Sequence, residues 1–197
     1  MLDTLALCAF HDTVVAERTW AKQAPARFET DLWQWIELNH RFNNLLWDEE
    51  DLARRKDVAD REIAANKRAI DGYNQRRNDA IEKMDELILS SVGTVAVGRL
   101  NSETAGSMID RLSIVALKLF HMGLQTQRTD VGAEHIATCT QKVARLAEQR
   151  NDLAHCLAEL LADCAAGRAH YKVYRQFKMY NDATLNPYLY ATGAKQS

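Results

Sequence analysis

Residues 60–91 read DREIAANKRAIDGYNQRRNDAIEKMDELILSS, a run with no proline and a single glycine, Gly72. At 100° per residue Ile63, Ile70, Ile81 and Ile88 line one stripe, the signature of a helix that packs one face against a core. Such a helix is about 50 Å long at 1.5 Å per residue and needs other long helices beside it to bury that stripe. The rest of the chain supplies them. Two prolines and eight glycines in 197 residues leave few places to turn, which excludes an all-β fold. With 47% hydrophobic and 26% charged residues the chain is neither disordered nor a membrane span. A net charge of -2 argues against a dedicated nucleic-acid binder, whose affinity rests on surplus Lys and Arg.

Working outward, a first helix is expected from about Asp3 to Ala21, ending before Pro25. A second runs to about Arg55 with Thr30 as N-cap and Asp31 in its first turn. A polar turn near Asp57 makes the second and third helices a hairpin. Val92 to Leu100, with Gly93 and Gly98, reads as a connector. Ser102 or Thr104 caps a fourth helix that ends between Gly123 and Asp130. A fifth spans about Val131 to Ala166 with Gly167 as its C′ residue, followed by a short helix from Arg168 to Tyr180 and an irregular tail at Asn186-Pro187. The expectation is one all-α domain over residues 1–197: a bundle of about five long helices plus a short C-terminal helix. The N-terminus lacks a basic region followed by an apolar run, and Cys8, Cys139, Cys156 and Cys164 show no C-x-x-C spacing. Buried, unliganded thiols in a reduced cytoplasmic protein follow, although His135 and Cys139 have the spacing to share a metal on one helix face.

Polar groups interrupt the apolar stripes. Lys67, Asp71, Asn74, Asn78, Glu82 and Asp85 lie within about the same third of the helix circumference as the isoleucines. On the second helix His40, Asn44 and Asp51 align with Trp33 and Trp47, and on the fourth Glu103, Asp110 and His121 share a face with Ile114 and Leu117. Buried polar groups require partners, supplied by other side chains, a metal or a ligand. Two readings follow: an interhelical network that fixes bundle register, or a pocket between helices. In a straight hairpin His40, Asn44, Asp71, Asn74 and Asn78 form one polar layer, Glu50 and Asp51 pair with Lys67, and Glu82 and Asp85 sit about two turns away. The basic and aromatic residues Arg168, Lys172, Arg175, Tyr171, Tyr174 and Phe177 either hold RNA or a phosphosugar, or dock a closing helix.

Glu82-Lys83-Met84-Asp85, with Trp47-Asp48-Glu49-Glu50-Asp51 before it, resembles the all-α nucleotide pyrophosphohydrolases of the MazG type, which hold Mg²⁺ on a triphosphate. Ala53 stands where those enzymes have a third glutamate. Arg150 and His155 resemble the R-x4-H pair of HEPN ribonucleases, which implies RNA cleavage across a dimer. The wider resemblance rests on Lys67 to Asp71 with Asn74 to Glu82, on Asn101 to Ser113, and on Tyr174 to Asp182, with His40, Asn44 to Trp47 and Glu50-Asp51 ahead of them. These blocks resemble the bacterial family known as domain of unknown function 4254. Ala105 stands where proline is expected. The resemblance implies a bacterial protein whose genes lie beside those for lipopolysaccharide glycosyl transfer.

The functional expectation is binding or metal-dependent hydrolysis of a phosphorylated small molecule, a nucleotide or nucleotide sugar. Asp71, Glu82, Asp85 and Asp110 are the candidate Mg²⁺ ligands, with Glu82 and Asp85 also catalytic and His40 as base. Asn44, Lys67, Asn74, Asn78 and Arg111 are the candidate substrate contacts. The alternative is a non-catalytic, homodimeric partner of glycosyltransferases, in which the polar stripe is satisfied internally.

Overall fold

The computed structural model describes residues 2–17, 19–29, 31–92, 98–175, 179 and 182–193. Its elements run α1 (Thr4–Val15), α2 (Trp20–Gln23), α3 (Asp31–Leu52), α4 (Asp60–Val92), β1 (Arg99–Leu100), α5 (Ala105–Thr126), α6 (Ala133–Ala165), β2 (Ala169–His170) and α7 (Pro187–Gly193). The expected all-α bundle is present, with a two-residue parallel ribbon tying its ends.

Helices α3 and α4 form the straight antiparallel hairpin. Asn66 Nδ2 donates to Glu49 Oε2 at 2.6 Å near the turn, and further along Phe42 stacks on Tyr73 at 6.3 Å. Helix α4 continues through Gly72 without a break, because nothing crowds that exposed residue and its neighbours keep the helical hydrogen bonds. Helices α5 and α6 pair along their lengths, and α1 lies across them. The core forms where these layers meet, around Leu7, Ile36, Met84, Ile88, Ile109, Leu112, Leu157 and Leu161. Among the described residues no helix is long and apolar enough to cross a membrane.

Three local expectations are corrected. The first helix stops at Val15, and a separate turn, α2, carries Trp20 inward to 1% exposure. The Arg41 guanidinium holds that turn: Nη1 donates to the carbonyls of Trp20, Ala21 and Ala24, and the group lies 4.7 Å from the centre of the Trp20 ring. Residues 168–175 are not helical. Gly167 turns the chain at φ 69°, and the N–H groups of Arg99 and Asn101 donate to the carbonyls of Arg168 and His170, so the backbone is used in the ribbon. Tyr171 is thereby buried to 3% exposure. At the tail a short helix does form, since Asn186 Oδ1 accepts the Tyr188 N–H at 2.9 Å and Pro187 suits the first helical position. Thr30, Gly93 and Phe177 lie outside the described residues.

The cysteines are free thiols. Cys139 and Cys164 are buried, Cys8 is half-buried and Cys156 is exposed, which corrects the expectation of four buried thiols. Cys139 Sγ lies 3.5 Å from His135 Nε2, and no group of three metal-ligating side chains forms among the described residues.

Candidate functional site

The structure divides the polar stripe into two arrangements. The first is a closed network between α3 and α5. Asp110 Oδ1 accepts from Asn39 Nδ2 at 2.8 Å and from Asn43 Nδ2 at 2.9 Å. Asn43 Nδ2 also reaches Ser113 Oγ at 2.9 Å, and that hydroxyl lies 2.7 Å from His40 Nδ1. Spacings of four residues on α3 and three on α5 put these groups on facing stripes one turn deep. Arg77 Nε on α4 stands 3.9 Å from Asp110 Oδ1 and balances its charge. His40 stacks on His11 of α1 with ring centres 4.5 Å apart, and both residues are fully buried. Burial lowers the pKa of His40 to about 3 and that of His11 well below its usual value. Both rings are therefore neutral at pH 7.

The second arrangement is open. A cavity of about 220 Å³ lies between α4, the N-terminal turn of α5 and the segment after β2. Asn78, Glu82 and Asp85 from α4, Ser102, Thr104 and Ser107 near the start of α5, and Lys172 and Tyr174 after β2 line it. Helical spacing explains the α4 side, since residues 78, 82 and 85 share a face. Thr104 caps α5 by accepting the Ser107 N–H at 3.1 Å, and Asp85 Oδ1 accepts the Gly106 N–H at 2.6 Å, so a buried carboxylate faces the first turn of that helix. Gly106 is required there: a Cβ would lie 2.6 Å from the Ile81 carbonyl oxygen and 2.9 Å from the Asp85 carboxyl. Ala105, fully buried, occupies the helix start where proline was expected.

Burial pushes the Asp85 carboxyl up to about 6, against the hydrogen bonds from Thr104 and Gly106, and the charge of Glu82 adds to the rise. Burial, and to a lesser degree the charge of Asp85, raises the pKa of the Tyr171 hydroxyl, which has no hydrogen-bond partner among the described residues.

Of the candidate site residues, the cavity unites Asn78, Glu82 and Asp85. Asp110 and His40 fall instead in the closed network, and His40, with no exposed surface, borders neither the cavity nor solvent. A base must reach its substrate, so the geometry moves His40 from that role to a structural one. Asp71 is exposed, and Asn74 and Asn44 are half-buried, so the five-residue polar layer does not form. Its premise fails because α5, not α4, supplies the partners of His40. Lys67 is exposed and lies 3.8 Å from Glu50, as the hairpin requires, while Asp51 turns away from it toward Trp47 and His121. Arg111 is held by both carboxylate oxygens of Glu103 at 2.7 Å on another face. The four candidate Mg²⁺ ligands are thus not brought together; only Glu82 and Asp85 share a cavity.

Glu49 and Glu50 are occupied by Asn66, Arg54 and Lys67 at the hairpin turn. Asn66 and Glu82 are sixteen residues apart on one unbroken helix, about 24 Å, which separates the two halves of the pyrophosphohydrolase-like pattern. Arg150 is bound by both oxygens of Asp12 at 2.7 and 2.6 Å, and His155 is exposed beside Glu159.

The family model described as "Protein of unknown function (DUF4254)" matches residues 33–173, a span that includes the whole closed network except His11 and all of the cavity except Tyr174. The chain belongs to this family. No curated protein and no solved structure matches it. Within the DUF4254 span, periodicity does not single out Asn39, Ser107 or Ser113, whereas Lys172 belongs to the basic and aromatic stretch already marked as a candidate phosphosugar contact. Asn39 adjoins the marked His40, and Ser113 lies one helical turn after Asp110 at the end of the Asn101 to Ser113 block.

In this DUF4254 chain the perturbed carboxyl has a measurable consequence. Asp85 binds its proton more tightly folded than unfolded, so the stability tied to this group is complete below pH 3.8 and is lost as pH rises through about 6. Asp85→Asn is expected to stabilise the fold at pH 8 by about 1–3 kcal/mol, with the gain vanishing near pH 4. Urea denaturation of both proteins at the two pH values checks this; an equal gain at both would remove the titration of Asp85 as its source.

Proposed function

We propose that the chain binds a small phosphorylated molecule in the cavity between α4 and the start of α5, with Mg²⁺ held by Glu82 and Asp85. The observation that supports this is the convergence of two carboxylates one helical turn apart with the Asn78 amide, the serine and threonine residues Ser102, Thr104 and Ser107, and Lys172 on one open cavity. Mg²⁺ commonly takes one or two protein carboxylates and completes its shell with water and phosphate oxygens, so a pair is a sufficient protein contribution. When bound, the ion polarises a phosphoryl oxygen and favours attack by water. Lys172 neutralises phosphate charge, the Ser107 and Ser102 hydroxyls and the Asn78 amide orient the ligand, and the N-terminal turn of α5 favours an anion. About 220 Å³ suits a phosphate with a few further atoms, which directs the proposal to the phosphoryl end of a nucleotide or sugar phosphate.

Thermal unfolding with Mg²⁺ or Mn²⁺, alone and with nucleotides or sugar phosphates, tests this reading. A ligand at a hundred times its Kd adds about 2.7 kcal/mol, or roughly 5–10 °C in a chain of this size. The expected result is a metal-dependent shift that Glu82→Gln abolishes while the variant remains folded. Shifts unchanged in Glu82→Gln, or none with any combination, would overturn it.

A second reading is favoured by the closed network. Asn39, Asn43, Asp110 and Ser113 satisfy one another within the bundle, as expected of a non-catalytic, homodimeric partner of cell-envelope glycosyltransferases. Co-purification of the intact chain with such an enzyme, together with a flat ligand panel, supports that reading over the first.

A further inference from the structure

A second cavity lies elsewhere, between α3, α5 and α6, with a volume of about 610 Å³. One wall is the ring pair Trp47 and His121, stacked at 4.4 Å and within 7° of parallel. Met122 and Leu146 extend this wall into an apolar floor. The rim is cationic: Lys118 on α5 and Lys142 and Arg145 on α6 face it, against the single carboxylate of Asp51. Arg145 is already paired with Glu148 at 2.8 Å, whereas Lys118 and Lys142 make no ion pair with any described residue. Burial lowers the pKa of His121, with Asp51 and Asp48 acting in the opposite sense, so the imidazole is a neutral stacking surface near pH 7 rather than a further cation.

We propose that this cavity is a separate binding site for a small molecule that carries an anionic group on a planar, apolar body. The flat Trp47–His121 wall and the apolar floor favour a ring system, and two uncompensated ammonium groups at the rim favour phosphate, sulfonate or carboxylate. The volume lies within the range of small-molecule sites and is more than twice that of the Glu82 cavity. Ser107 and His121 are fourteen residues apart on α5, about 21 Å, so one small ligand does not bridge the two cavities.

The test uses 1-naphthyl phosphate as probe, with 1-naphthol and inorganic phosphate as its two halves, titrated calorimetrically into the full chain. The expected result is one 1-naphthyl phosphate per chain, bound about tenfold or more tightly than either half, with the ring-proton resonances of His121 shifting on binding. A double variant, Lys118→Met with Lys142→Met, is expected to weaken the probe by about tenfold and to leave 1-naphthol unchanged, since both lysines are exposed and only the anion is lost as a partner. Equal affinity for 1-naphthol, or full affinity in the double variant, would overturn the proposal. Loss of binding on Glu82→Gln rather than on the lysine pair would overturn it too, by assigning the probe to the other cavity. So would self-association that removes His121 from contact with the probe, which would give this face to a second copy of the chain.

Discussion

Asp110→Ala is expected to destabilise the protein by about 3–5 kcal/mol, a drop in Tm of roughly 10–15 °C. The reason is geometric. One oxygen of Asp110 accepts from two buried amides, Asn39 and Asn43, and the same carboxylate is the nearest anion to the largely buried Arg77. Alanine leaves two buried donors and a guanidinium without their partner, and unpaired buried groups lose far more than a hydrogen bond is worth in net terms. Asp110→Asn keeps the shape and one acceptor but removes the charge, so about 1–2 kcal/mol is expected. Denaturant titration of the two variants separates these effects. A loss below about 1 kcal/mol for Asp110→Ala would show that the network is hydrated and contributes little to register.

Mild acid is expected to destabilise the protein. His40 is held neutral by burial with a pKa of about 3 against 6.5 for a free side chain, and His11 shifts in the same direction. For a base whose folded pKa is depressed, the unfolded chain takes up the proton first, so stability falls as pH drops through 6.5 toward 3. Between pH 7 and pH 5 His40 alone removes about 2 kcal/mol, and His11 adds to this. Asp85 opposes them by roughly 1 kcal/mol, since its raised pKa gains stability over the same interval. The net expectation is a loss of about 2–3 kcal/mol, large against a total of 5–15. His11→Phe removes one titrating ring whose two nitrogens have no hydrogen-bond partner among the described residues, and is expected to raise Tm and flatten the pH dependence. Equal stability at pH 7 and pH 5 would contradict this account of the stacked pair.

The division between the closed network around His40 and the open cavity explains how far the sequence reaches. Periodicity alone identifies α3, α4, α5 and α6, because long runs without proline leave only one way to satisfy their backbone and one face to bury. Turn chemistry accounts for the hairpin and for Thr104 as a cap. It misses the break before Trp20, which depends on Arg41 arriving from α3 to hold three carbonyls, and it misses the ribbon, which depends on two segments seventy residues apart.

The candidate site divides in the same way. That Asn78, Glu82 and Asp85 share a face is set by 100° per residue, and the sequence determines it without help. It also marks Asp110 and His40 as polar groups among core residues. Which helix each of those residues meets is a tertiary matter. Helix α5 packs on the C-terminal half of α4, whereas α3 covers Ile70 on the N-terminal half without burying its neighbours, so Asp85 is buried while Asp71 and Lys67 are exposed. A stripe read from sequence has a direction around its own axis but no neighbour. Packing supplies the neighbour, and with it decides that Asp110 closes a network, that Asp85 borders a cavity, and that Trp47 and His121 form a wall.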